Sequence, residues 1–146
     1  VRIEVPGDPA GKARPRFTRT GRGYNTKKTK EFETRVANAF LNSGAKQFGE
    51  SEPLRIDIVA EMPIPKSTTK KVLRAIEDGT VKHLKKPDID NIVKAVLDGL
   101  NGIAFPDDKQ IVMLSAFKKY SKEPKTIICI FGGDHGEKRF AENQNS

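Results

Sequence analysis

The sequence has no tryptophan, two histidines and one cysteine, Cys129, among 146 residues. A single cysteine rules out an internal disulfide framework, and so few soft ligands rule out a Cys- or His-based zinc site. No run of 18 apolar residues is present, so no membrane span is expected. Apolar residues make up 36% and aromatics 7%. That is polar for a globular protein, but not polar enough for disorder throughout. The length fits one domain with an arm or tail, and a domain of this size buries roughly 70% of its unfolded surface. Val1–Pro6 opens straight into a strand-like alternation rather than a targeting segment. Whatever chemistry the chain performs must run on carboxylates, lysines, arginines and hydroxyls.

What the sequence does have is positive charge. Lys and Arg total 27 against 19 Asp and Glu, a net charge of +8. Such an excess points to a polyanionic partner, because counterion release from nucleic acid drives the binding of basic proteins.

Alternation of apolar and polar residues predicts strands at Val1–Pro6, Leu54–Met62 and Gln110–Tyr120. The continuous apolar run Thr126–Phe131 predicts a strand buried on both faces, joined to the preceding one by a hairpin at Ser121–Lys125. Phe32, Val36 and Phe40 recur at four-residue spacing and predict a helix over Thr29–Asn42, with Glu31 and Glu33 in its first turn. Ser67–Gly79 reads as a helix capped by Ser67 and stopped by Gly79. Asp88–Asn101 gives the clearest helix, with Ile89, Ile92, Val93, Val96, Leu97 and Leu100 on one face. The order β-α-β-α-α-β-β predicts an α+β fold, a mixed β-sheet with helices packed on it. A single domain is expected over 1–132, with a long basic loop at 7–24 and a polar C-terminal tail at 133–146.

The chemistry concentrates between Lys86 and Asp108. Pro87 biases Lys86 to an extended conformation, and Asp88 falls where an N-cap belongs. Asp90, Lys94 and Asp98 lie at i, i+4 and i+8 on one helical stripe. Pro106-Asp107-Asp108 adds two acids just before a strand. Each piece has an ordinary structural reading: a cap, a solvated ion-pair face, a turn. Together they gather acids at one place in a basic protein, which suits holding a cation against phosphate. Carboxylates without Cys or His select a hard ion, Mg²⁺ or Mn²⁺. A calcium loop starting at Asp88 fails, because Ile92, Val93 and Gly99 stand where Asp or Asn, Gly and Glu are needed. A PD-(D/E)xK nuclease pattern is formally present in Pro87-Asp88 and Asp107-Asp108-Lys109. It would make Lys109 the catalytic lysine, but it wants its carboxylates on a sheet.

Taken whole, His83–Tyr120 resembles the RusA-type Holliday junction resolvases. The resemblance is carried by Lys86-Pro87-Asp88-Ile89-Asp90-Asn91, Lys94, Asp98-Gly99-Leu100-Asn101-Gly102, Asp107-Asp108-Lys109-Gln110-Ile111 and Lys118. Gly11-Lys12-Ala13-Arg14-Pro15-Arg16-Phe17 is similar to the family's basic loop. Ser67–Gly79 looks like an insertion relative to the shortest members. The resemblance implies a small homodimeric, Mg²⁺-dependent endonuclease that cuts four-way DNA junctions. It implies essential aspartates at Asp88, Asp90 and Asp108, which would hold the metal, and an essential lysine at Lys94. It also implies a cytoplasmic protein acting on bacterial nucleoid DNA, and many members are encoded by prophages.

On this reading Asp98 would fix Lys94 through an i, i+4 pair. The clustered acids would carry raised pKa values without metal, and Mg²⁺ would stabilise the fold. Lys12, Arg14, Arg16, Lys85, Lys86 and Lys118 are the candidate phosphate contacts. No base-reading helix is evident, so branched shape rather than sequence would be recognised. The Thr126–Phe131 strand and the apolar helix faces are candidate dimer surfaces. Two alternatives stay open: a DNA-binding module without catalysis, and a metal-dependent nuclease for other branched DNA.

Overall fold

In a computed structural model, the described residues are 1–12, 16–17, 23–24 and 27–133, the two short pairs by their backbone alone. The elements are β1 (Arg2–Pro6), β2 (Arg16–Phe17), β3 (Gly23–Tyr24), α1 (Lys27–Asn42), β4 (Leu54–Pro63), α2 (Lys70–Glu77), α3 (Ile89–Leu100), β5 (Ile111–Ser121) and β6 (Lys125–Gly132). A short 3-10 turn, Asp108–Gln110, leads into β5. The fold is α+β, as the sequence predicts, with β2 and β3 as a small extra ribbon inside the basic segment. The expected polar tail after Gly133 lies outside the described residues.

The main sheet has the order β1-β6-β4-β5. β6 runs antiparallel to both neighbours, pairing Ile128 with Ile3 of β1 and with Ile58 of β4. β4 and β5 are parallel, with Ile58 opposite Ala116. The crossover between them carries α2 and α3, as a parallel pair requires. The expected hairpin between β5 and β6 is not made. The chain passes β4 and inserts β6 between β4 and β1, because its apolar run belongs in the middle of the sheet. Only one face of β6 is fully buried, through Thr126, Ile128 and Ile130, so the expectation of burial on both faces is also corrected.

That buried face is covered by α1 and α3. Phe32, Val36 and Phe40 of α1 meet Ile92, Ala95, Val96 and Leu100 of α3 above Val5, Ile56, Ile58 and Ile130. Each large apolar side chain buried there contributes roughly 1.5–3 kcal/mol. The two helices touch at Gly99, where a Cβ would come within 2.9 Å of the Glu33 carbonyl and 3.0 Å of Val36 Cβ. The other sheet face is open, and Phe117 remains 52% exposed on it.

Helix α1 starts at Lys27, two residues before the expected start, so Glu31 and Glu33 fall beyond its first turn. Helix α2 is shorter than expected. Its cap is Thr69, whose hydroxyl accepts a hydrogen bond from Val72 N at 3.3 Å, rather than Ser67. It buries no residue, which explains why its apolar positions alone set its extent poorly.

Candidate active site

Helix α3 organises the candidate residues into two groups, one at each end. At the N-terminal end Asp88 has extended backbone angles and occupies the cap position, yet its carboxylate makes no capping hydrogen bond. The cap is closed by backbone alone, with Asn91 N and Ile92 N donating to Asp88 O. Asp90 lies in the first turn and Lys94 one turn on. All three are exposed, and among the described residues none forms an ion pair. Lys85 and Lys86 stand exposed just before them. The helix dipole adds partial positive charge there, which favours anionic ligands and acids alike.

At the C-terminal end the acids are held. Asp98 accepts Lys12 Nζ at 2.5 Å, and the same ammonium reaches Glu33 of α1 at 3.0 Å. Burial pulls the Lys12 pKa down, but its bonds to Asp98 and Glu33 outweigh that and leave it raised. The expected Asp98–Lys94 pair is therefore not formed. Asp98 instead faces Lys12, in the amino-terminal segment 7–12 that lies as a strap along α3. Asp107 caps the 3-10 turn by accepting from Lys109 N at 3.0 Å, and this bond lowers its pKa. Asp108 is pushed up, first by burial and then by Asp107 and Asp98. The raised acid is thus at this end, and the neighbours responsible are not Asp88 and Asp90.

The Asp107–Asp108 turn is fixed by Gln110, which is 8% exposed. Its Nε2 donates to Gly49 O at 2.6 Å and Glu52 O at 3.1 Å, and its Oε1 accepts from Asp107 N at 3.2 Å. The strap is fixed as firmly. Thr29 Oγ1 donates to Gly11 O at 2.9 Å, and Lys12 N donates to Asn91 O at 2.9 Å. A Cβ on Gly11 would sit 2.7 Å from Pro87 Cβ, so only glycine lets the strap lie against the start of α3. Sequence reasoning missed these ties. Lys12 and Gln110 were visible as motif residues, but their partners lie far along the chain.

The candidate DNA contacts separate accordingly. Lys85 and Lys86 are free to meet phosphate. The Lys12 ammonium is held by two carboxylates, and the Lys118 ammonium by two backbone carbonyls. Arg14 lies outside the described residues, and Arg16 is described by its backbone only.

The two ends of α3 are well separated. From Asp88 to Asp98 is ten residues, about 15 Å of helix axis at 1.5 Å per residue. Phe105 pairs back with Asn101, the C-cap of α3, so Asp108, three residues further on, lies toward that far end, where the charge of Asp98 reaches it. Accordingly, among the described residues of one chain no group of three or more His, Cys, Asp or Glu is placed to hold a metal ion. The donor chemistry itself suits a hard cation: every candidate is a carboxylate, and Asp88 is uncommitted at a cap position. The rival reading, with carboxylates on a sheet, is not what the fold provides. Asp88 opens a helix, and Asp108 opens a 3-10 turn. The site is an open surface. Two concavities lie along α1, and neither is lined by Asp88, Asp90, Lys94 or Asp108.

Comparison with known proteins adds two findings. A family model described as "Endodeoxyribonuclease RusA" matches residues 6–131. A protein of Bacillus subtilis (strain 168), named as the uncharacterized protein YqaN, is 33% identical over 135 residues, covering 89% of this chain and 94% of that protein.

Proposed function

The chain belongs to the RusA endodeoxyribonuclease family, and on that premise we propose that it is a Mg²⁺-dependent, homodimeric endonuclease that resolves four-way DNA junctions by paired hydrolysis on opposed strands. The observation that carries the reading is Asp88. A cap-position carboxylate that does not cap, beside an equally free Asp90 and between Lys86 and Lys94, is placed to meet something outside the chain. The family implies a nuclease, and the +8 charge fits a DNA substrate.

Asp88 and Asp90 would hold the metal, completed by Asp108. Magnesium there would lower the pKa of a water and offset charge on the phosphate. The protein's own contribution is placement. Lys94 carries its ammonium one turn beyond Asp90, where it stabilises negative charge developing on the phosphoryl oxygens. Lys85 and Lys86 hold flanking phosphates. Gln110 keeps the Asp107–Asp108 turn rigid, and Asp107 stays ionised as a cap while Asp108 remains available.

The separation of Asp108 from Asp88 within one chain supports the homodimer. β5 is one of the two edge strands of the described sheet, and its Ile111–Phe117 stretch carries no charge. Val112, Leu114 and Phe117 are 58%, 49% and 52% exposed. Unpaired apolar edges of this kind favour pairing. β5 begins beside Asp108, and its Lys118 bonds Pro87 O at 3.1 Å, next to Asp88. Two copies paired antiparallel along β5 would bring the Asp108 end of each to the Asp88 end of the other. The closed two-fold contact would yield two equivalent sites, as a symmetric junction requires.

The test is cleavage of a labelled four-way junction beside a linear duplex of the same strands, with Mg²⁺ and with EDTA. Junction-only paired nicks, lost in EDTA, are expected. Mixing inactive Asp90→Asn and Asp108→Asn proteins should restore nicking if each site takes acids from both copies. Junction binding without any cut would establish a binding module instead, and equal cutting of the duplex would establish a general nuclease.

A further inference from the structure

Lys118 sits on the core-facing side of β5, in register with Ala60, while its neighbour Lys119 points to the open face and pairs with Glu61 at 3.5 Å. Its ammonium donates to Lys85 O at 2.9 Å and to Pro87 O at 3.1 Å. Those carbonyls flank Lys86 and end one residue before Asp88. Among the described residues, Leu84–Pro87 take part in no backbone–backbone hydrogen bond. Leu84, Lys85 and Lys86 are exposed, Leu84 by 89%. A segment with so few internal ties would be free to wander, yet it sets the position of the first candidate metal ligand. A lysine ammonium has three donors and no acceptor. Two of its protons are already directed at carbonyls, which leaves this cation poorly placed to add to the phosphate field of Lys85 and Lys86.

We propose that Lys118 is a positioning residue: it clamps the 85–87 backbone to β5 and so sets the places of Lys86 and Asp88, and it makes no phosphate contact. The inference rests on the nuclease reading only for its activity readouts. A displacement of about 1 Å at reacting groups costs on the order of 10²-fold in rate, so loss of the clamp should reach the chemistry without weakening DNA binding.

The experiment compares full-length wild type, Lys118→Met, Lys118→Gln and Lys85→Met. Junction affinity is measured in EDTA across a salt series, single-turnover cleavage in Mg²⁺, and amide hydrogen exchange at Asn91 and Ile92, whose N–H groups donate to Asp88 O at the end of the clamped segment. Lys118→Met should exchange faster at these two amides, with β4 and β6 unchanged. Lys118→Gln, uncharged but still a donor, should show a smaller rise. Cleavage by Lys118→Met should fall about 10- to 100-fold at unchanged affinity and unchanged salt slope. Lys85→Met should lower the salt slope by about one, the signature of a lost phosphate contact. Unchanged exchange in Lys118→Met, or a salt slope lowered as in Lys85→Met, overturns the proposal. If wild type neither binds nor cuts the junction, the nuclease reading falls, and the exchange data still decide on Lys118. If Lys118→Met does not fold, Lys118→Gln carries the comparison: faster local exchange at the wild-type salt slope supports the clamp, and a lowered slope with normal exchange overturns it.

Discussion

The two ends of α3 carry the same residue type in opposite states. At the N-terminal end Asp88 and Asp90 are exposed and unpaired. At the C-terminal end Asp98 is tied to Lys12, and Asp107 is tied to the turn that follows. The difference teaches that an acid's position in a motif does not fix its role. An aspartate bonded within the fold stabilises the fold. One left without a partner at a helix N-terminus is available for a ligand, and leaving it so is tolerable only because water reaches it. Asp108 stands between the two cases, half-buried beside Asp107 and Asp98, with its pKa raised by burial and by their charge. Its negative charge is disfavoured where it is, and an incoming cation would relieve that.

The strongest way to break the comparison is to neutralise one acid at each end. Asp88→Asn should abolish junction cleavage, by on the order of 10³-fold, if Asp88 holds the metal. It should leave the melting temperature nearly unchanged, because asparagine suits a cap position as well as aspartate does. Asp98→Asn should do the reverse. Cleavage should fall by about tenfold or less, while stability drops because Lys12 loses one of its two charged partners. Gel cleavage and thermal melts on both proteins decide the matter. Equal loss of cleavage at both ends would mean that the ends share one role.

Much of the fold was legible from local patterns. Leu54, Ile56, Ile58 and Ala60 alternate along β4, and Ile92, Val96 and Leu100 mark the inner stripe of α3, so period alone placed them. Asp88, Asp90, Lys94 and Asp108 were legible as a set of residue types. Their division between the two ends of α3 followed from the helix length, once the Asn101–Phe105 bridge had placed the Asp107–Asp108 turn at the C-terminal end. What was not legible depends on distant partners. Asp98 offers Lys94 a partner four residues away, but it bonds Lys12, 86 residues away, because the strap at Gly11 lies against α3. Likewise β5 and β6 look like a hairpin across Pro124. The demand for an apolar strand in the middle of the sheet, between β1 and β4, prevails over proximity in sequence.

A second, smaller effect sharpens the contrast among the lysines. Lys12 is 19% exposed at its side chain and joins α1, α3 and the strap. Lys12→Met would leave Asp98 and Glu33 without their cation, in a place where water reaches them only partly. We expect a loss of about 1–2 kcal/mol in urea unfolding, the scale of a charged hydrogen bond discounted for partial solvent access. Lys94→Met, at an exposed and unpaired lysine, should leave stability within about 0.5 kcal/mol of wild type. A Lys12→Met protein as stable as wild type would show that the strap holds through Thr29 and Asn91 alone.

The smallest expected effect concerns pH, at the segment that leads into the free end of α3. His83 is 8% exposed, packs edge-on against Tyr120 with ring centroids 5.0 Å apart, and leaves Nδ1 without a hydrogen-bond partner. Burial lowers its pKa below the ordinary value near 6.5 and the charge of Lys118 lowers it further; its own backbone opposes this, and Lys85 adds a lesser lowering. The unfolded chain therefore binds the proton more readily than the folded one. The stability that neutral His83 contributes is complete above about pH 6.5 and is lost as the pH falls through its lower folded pKa. A tenfold preference of the unfolded chain for the proton corresponds to about 1.4 kcal/mol, or roughly 3–6 °C of melting temperature for a domain of this size. Melts of wild type and His83→Phe between pH 8 and pH 5 isolate this term from the carboxylates, which both proteins share. Wild type should lose stability relative to the variant below pH 6.5, and Lys118→Met should move the imidazole titration back toward its ordinary value. Parallel stability curves for wild type and His83→Phe would mean that His83 keeps its proton as easily folded as unfolded, so that burial beside Tyr120 and Lys118 does not disfavour its charged form.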